Sequence, residues 1–384
     1  MHQGDQVKLS PRAPLKRITI PQLDTIRVLA MLGIFLHHLW KTVILTPQGI
    51  LQRILDPVFS AASDGVVLFN IISGFLLALP HLGPEHHPFP GYRFFLQKRF
   101  LRIIPPYYLA LLIFTLANIV HFDYPLRPAL EMLLQHLLFI NSLDYSNMYS
   151  NFAHFWYLGQ LAQFYLLFPV ILSLFMRIGP TRAALAIVAL CWGGWLFYAW
   201  CFPAPPNAPP DFAENLMHFN LPGRLPEFAI GMWLASLRTP GAHSMPPNIF
   251  KNPFSLFAAV MTLYLVVGAP FVPDMNLPFL HIFHVALSLA LFLFLLIWTP
   301  AARMGESAIV KNFGQHSYTL YIVHYPLFSY LGVMPSKVTH TPENFAILAV
   351  LLLPVCYLAA TVVDLVSAAV VKRLRIFKGA LYQA

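Results

Sequence analysis

The chain has 384 residues, of which 58% are hydrophobic and only 10% charged, whereas an ordinary globular domain has about a quarter charged. This composition excludes a soluble enzyme, and once the apolar runs are set aside no stretch is long enough for a second, soluble domain, so a single membrane domain is expected. A formal net charge of +9 would fit a nucleic-acid binder in a soluble chain; here the basic residues flank apolar runs and are explained by membrane topology, so no nucleic-acid partner is expected.

Residues 1–22 are polar and basic and read as a cytoplasmic tail. The first apolar run begins only after Pro21, has full span length and lacks a small-residue cleavage pattern, so it is expected to be retained. It reads LDTIRVLAMLGIFLHHLW from Leu23 to Trp40. At about 100° per residue, Arg27 and His38 fall about 20° apart on one face, Asp24 and Lys41 within about 60° of it, and His37 about 80° away. With about 1.5 Å of rise per residue, His38 lies about 16 Å beyond Arg27, near the middle of a core about 30 Å thick. A polar stripe in hydrocarbon is costly and marks a site. His37, turned from that face, is assigned to packing.

Ten segments are long enough, or nearly so, to cross a membrane: about 26–45, 58–79, 103–122, 154–176, 183–202, 222–238, 253–273, 279–299, 314–334 and 343–369. Loops on the N-terminal side hold most of the lysines and arginines, from Lys8, Arg12, Lys16 and Arg17 to Lys372, Arg373, Arg375 and Lys378. The opposite side holds only Lys41, Arg53, Arg127, Arg224 and Lys337. Both termini are therefore expected in the cytoplasm. The predicted architecture is all-α, a polytopic membrane protein of about ten transmembrane helices around a cavity open to the cytoplasm, with a membrane domain over 23–371 and a basic tail over 372–384. Residues 123–153 contain an apolar run too short to span, read as interfacial or re-entrant. PAPPNAPPD, from Pro203 to Asp211, reads as a stiff external connection.

Several polar residues have two readings each. Lys98, Arg99 and Arg102 crowd one end of the third span, just before Pro105 and Pro106. They are either a topology anchor or a diphosphate site, since guanidinium groups pair bidentately with phosphate oxygens. His38 is either a general base or a histidine bonded between helices. Gln160 and Gln163 either bind an acceptor or bridge helices, and His324 faces either the cavity or the interfacial belt. Ser73, in SGF, serves close helix approach better than nucleophilic attack. Arg224 and Glu227, three apart, are expected to pair. His281 and His284 lie one turn apart without a local third ligand, so no metal is expected. Cys191, Cys201 and Cys356 are odd in number and show no CxxC spacing, so no disulfide framework is expected. Asp364 has no evident partner.

Six segments in order resemble those of the acyltransferase type 3 family of membrane O-acyltransferases: LDTIRVLAMLGIFLHH, LFNIISGFLLA, RFLRIIPPYY, HFWYLGQLAQFYLLFP, RLPEFAIGMWLA and SYTLYIVHYPLF. The resemblance implies an acyl-CoA donor approached from the cytoplasm of a bacterial inner membrane. It matches Arg99 and Arg102 to the family's donor-binding RxxR, and Arg27 and His38 to its essential Arg and His. The chain departs from the pattern: Leu161 and Ala162 stand where many relatives carry a Glu pair, Val67 where they carry Asp, and Asn70 where they carry Phe, with Asp64 three residues before Val67. An acidic partner for His38 is therefore not expected from those helices. No appended periplasmic hydrolase-like domain is expected, which favours a lipid-linked or small acceptor. The function implied is transfer of an acyl group, acetyl foremost, from acetyl-CoA or another acyl-CoA as co-substrate to a hydroxyl of a carbohydrate, glycolipid or small molecule. His38 acts either as base or as a transient acyl carrier. The alternative is a transporter or exporter of a lipid-linked or small solute, for which buried Arg and His are equally natural.

Overall fold

The computed structural model describes residues 20–44, 49–143, 152–202, 212–238, 278–333 and 341–381. Among the described residues all regular structure is helical. Helix α1 (Pro21–Val43) starts with proline in its first turn, where no amide donor is needed, and carries Asp24 near its positive end and Lys41 near its negative end. Helix α2 (Ile50–Ala61) leads through a short 3-10 turn into α3 (Gly65–Leu82), together one apolar stretch longer than the 58–79 segment expected. Helix α4 (Tyr92–His121) runs on through Pro105 and Pro106. The prolines offer no N–H to the carbonyls four residues earlier, at Leu101 and Arg102.

Helix α5 (Leu126–Leu137) has 12 residues, too few to span. It is tied to α4 by Tyr107 and Tyr108, whose hydroxyls donate to the carbonyls of His136 and Leu137 at 3.1 and 2.6 Å. Helices α6 (Trp156–Ile178) and α7 (Pro180–Cys201) meet at Gly179, whose φ of 88° suits glycine. Then follow α8 (Phe212–Phe219), α9 (Leu221–Ser236), α10 (Pro278–Ile297), α11 (Thr299–Glu306), α12 (Ala308–Tyr330) and α13 (Pro342–Leu381).

Six stretches are long and apolar enough to cross a membrane: 21–43, 50–82, 92–121, 153–178, 180–201 and 342–373. A seventh is available if α10 and α11, bent by 76°, form one broken span. Helix α9, with 16 residues, is about 24 Å long, short of a core about 30 Å thick. Helix α12 has the length, 23 residues, but is diluted by Lys311, His316 and His324. The segment expected at 253–273 and the PAPPNAPPD connection lie outside the described residues. The exterior is apolar: Leu190 and Trp200 on α7 are 77% and 81% exposed, Val350 and Leu365 on α13 73% and 66%. Such faces suit lipid and mark an integral membrane protein.

Helix α1 is the centre of the packing, flanked by α3, α10, α11, α12 and α13. Thr25 donates to the carbonyl of Ala301 at 2.7 Å and ties α1 to α11. Helices α3 and α9 make the closest pair. A Cβ on Gly74 would overlap the Phe228 carbonyl, and one on Gly231 would overlap the Ile71 carbonyl. The close approach thus belongs to Gly74 in SGF, while Ser73 beside it borders a cavity. Gly74→Val should force α3 and α9 apart and cost about 1–3 kcal/mol, the usual range for overpacking. A thermal unfolding scan in detergent should show a lower midpoint than Ser73→Ala, which leaves the helix contact intact.

Candidate functional site

The polar stripe of α1 borders two cavities. Arg27 lines one of about 120 Å³, together with Ser73 from α3, Arg99 and Arg102 from α4, and Tyr157 from α6. His38 lines the other, of about 230 Å³, with Asp64, Trp156, Arg224, His281 and His284. The side chain of Tyr321 borders both. Tyr321 is buried and its hydroxyl donates to the His154 carbonyl, which anchors it between the two cavities.

In the smaller cavity Arg27 is held by Asp24, one turn back, with Nη1 2.7 Å from Oδ1. Arg99 lies over the ring of Phe95, 5.6 Å from its centroid, and its Nε is buried with no bonded partner among the described residues. Lys98, on the same helix, is exposed and borders neither cavity. Arg102 also borders an outer groove between α4 and α13.

In the larger cavity His38 Nδ1 lies 2.8 Å from Nε2 of His324. The ring of His154 packs on both, with centroids 6.2 Å from His38 and 5.3 Å from His324. The position of His154 follows from the sequence of α12. Pro326 leaves the Ile322 carbonyl without its helical donor, and His154 Nε2 takes that place at 3.1 Å. His324 itself is fully buried behind His38 rather than on a cavity wall. His37 borders the same cavity as His38, with Nδ1 donating to the Phe59 carbonyl at 3.0 Å, so its assignment to packing alone is corrected. The cavity reaches round α1 to His37 as well as His38, with Ser63 and Asp64, from the junction of α2 and α3, on its wall.

The facing wall is a polar network. Glu227, fully buried, has Oε1 3.1 Å from Arg224 Nη1 and 3.0 Å from His281 Nε2, while Oε2 accepts from Asn70 Nδ2 at 2.6 Å. The expected Arg224–Glu227 pair is present. Arg224 also donates through Nε to the His218 carbonyl at 2.7 Å and stacks over Trp156. Asp64 pairs with His284, Oδ2 to Nδ1 at 2.7 Å, and not with His38. His281 and His284 thus face carboxylates rather than each other. Asp364 accepts from His316 and Thr319 of α12, both at 2.5 Å, which accounts for the acid that had no evident partner.

Gln163 bridges helices: Nε2 donates to Asn220 at 2.9 Å, and Oε1 accepts the Leu221 amide at the start of α9 at 3.0 Å. Gln160 is fully buried, and neither glutamine borders the two cavities.

Residues 20–361 match the family model of the type 3 acyltransferase domain. The chain belongs to the acyltransferase type 3 family. This acyltransferase is 24% identical over 343 residues to the O-acetyltransferase OatA of Staphylococcus aureus strain NCTC 8325, covering 82% of the chain and 51% of the relative. It is 23% identical over 336 residues to a provisionally named O-acetyltransferase, SACOL0978, of S. aureus strain COL, covering 81% and 51%. The chain therefore spans about half the length of the relatives it matches. No solved structure matches it.

The contacts made by His154, Asp64 and His284 were beyond sequence reasoning, although the unpartnered carbonyl implied by Pro326 was a signal that something must fill it. Glu227→Ala should destabilise the acyltransferase by about 3–5 kcal/mol, because it leaves Arg224 buried without its counter-ion. Glu227→Gln, which keeps an acceptor, should lose less; a detergent unfolding scan of both variants checks the order.

Proposed function

We propose that the protein is a membrane-bound O-acyltransferase that moves an acyl group, acetyl foremost, from acyl-CoA to a hydroxyl of a carbohydrate, glycolipid or small-molecule acceptor. One observation carries the reading: a single helix leads from a cavity bordered by Arg27, Arg99 and Arg102 to a second bordered by His38, with Tyr321 common to both. On this reading about ten spans, over residues 23–371, enclose a path open to the cytoplasm in a bacterial inner membrane, with both termini cytoplasmic. The names of the relatives favour acetyl as the group transferred.

Arg99 and Arg102 hold the donor's diphosphate through charge-assisted bonds, and Lys98 adds long-range attraction at the mouth. The pantetheine arm carries the thioester past Tyr321. His38 takes the proton of the acceptor hydroxyl as the oxygen attacks the thioester carbonyl. Arg27 orients the donor or stabilises the developing oxyanion. When the C–S bond breaks, the thiolate leaves and recovers the proton from His38, giving an ester and free CoA. Asp64 and His284, on the facing wall, meet the acceptor's other hydroxyls.

The test is incubation of purified protein with radiolabelled acetyl-CoA and envelope extract. Wild type should pass label to an extractable product. His38→Ala should lose at least about 100-fold in rate, and the Arg99→Ala, Arg102→Ala double variant should raise KM for acetyl-CoA at least about tenfold. A fully active His38→Ala overturns its role. Absence of both transfer and acetyl-CoA binding, together with solute movement in vesicles, would favour the transporter.

A further inference from the structure

We infer that His324 is a positioning residue that fixes the tautomer of His38 and thereby presents the Nε2 lone pair of His38 to the acceptor cavity. The inference rests on the reading of His38 as the base, and its geometric part stands apart from that reading.

The argument runs through three hydrogen bonds. His324 Nδ1 lies 2.8 Å from the Tyr321 carbonyl and 3.1 Å from the Leu320 carbonyl, in the preceding turn of its own helix. A carbonyl oxygen only accepts, so Nδ1 of His324 carries the proton. In a neutral ring the other nitrogen, Nε2, then has only a lone pair. That nitrogen lies 2.8 Å from His38 Nδ1, so His38 Nδ1 must be the donor. The proton of neutral His38 is thus placed on Nδ1, and Nε2 is left as the acceptor. A backbone carbonyl pair on α12 determines which nitrogen on α1 is basic.

The neutral state follows from the surroundings. His324 is fully buried, and the rings against it are His38, His154, Phe35, Tyr321, Tyr325 and Phe328. Neither His38 nor His324 is bonded to a carboxylate among the described residues, and Asp64, on the wall of the same cavity, is paired with His284. An imidazolium at His324 would be a buried charge without a counter-ion. His37 is bonded to the Phe59 carbonyl and His154 to the Ile322 carbonyl, and the bond at His38 Nδ1 is made to His324. A histidine thus supplies the orienting acceptor for His38.

Histidine-selective 15N NMR of the full-length protein in nanodiscs, with the His38 signals assigned by difference from His38→Ala, tests this without substrate. The expected result is a Nδ1–H tautomer at His38 in wild type. His324→Gln should retain it, because the glutamine Oε1 can accept where Nε2 did, and His324→Leu should lose it. In the transfer assay His324→Leu should lower kcat at least about 100-fold with KM for acetyl-CoA within about twofold, and His324→Gln should restore at least a tenth of the wild-type kcat. A Nε2–H tautomer at His38 in wild type, or an unchanged tautomer in folded His324→Leu, overturns the inference; the wild-type measurement decides even if the leucine variant does not fold. A Nδ1–H tautomer in a wild-type protein that transfers no acyl group would uphold the lock and overturn only the acyltransfer reading.

Discussion

A histidine carried about five turns into an apolar helix must find its hydrogen-bond partners in protein, because hydrocarbon offers none. Much of this structure can be understood from how that demand is met around α1. His38 turns to His324, His324 to the carbonyls of its own helix, and His154 closes the group by filling the carbonyl that Pro326 leaves open. Each ring is fixed by a bond to the next or to backbone, so the cluster is rigid without a buried charge. Helix α12, which carries His316 and His324, is suited to an interior position for the same reason.

The charged groups of the site follow a different rule. A buried ion is tolerated only when its partner and its remaining hydrogen bonds are supplied together. Glu227 satisfies this with Arg224, His281 and Asn70 arranged around one carboxylate. Asn70 therefore does here what a phenylalanine could not, donating to Glu227 Oε2. The network needs α3 and α9 close together, and Gly74 and Gly231 permit that approach. Packing and electrostatics in this half of the molecule are one constraint.

The two cavities divide the polar groups by charge. Arg27, Arg99 and Arg102 border one, and Arg27 is the only one of these with a carboxylate bonded among the described residues. On the wall of the other, Asp64 is paired with His284, and Arg224 with the buried Glu227. On the proposed reading, the first takes the anionic donor and the second the neutral, hydroxyl-bearing acceptor. Tyr321, its hydroxyl occupied by backbone, keeps the two environments apart in this conformation.

Six of the expected spans are visible in the sequence as runs long and apolar enough to cross, because hydrophobic length is a local property that needs no knowledge of neighbours. The face shared by Arg27 and His38 was legible for the same reason: helical rotation depends only on spacing. The Arg224–Glu227 pair, three apart on one helix, was equally local. Partners that lie far apart in the chain were not: His38 with His324 is separated by 286 residues and Asp64 with His284 by 220. A spacing rule works within one helix, whereas which helices become neighbours is decided by the packing of the whole bundle. The sequence by itself determined that this is a helical membrane protein with a polar stripe in its first helix. Only the tertiary structure decided that the stripe serves two cavities and that a second histidine, not an acid, stands behind the first.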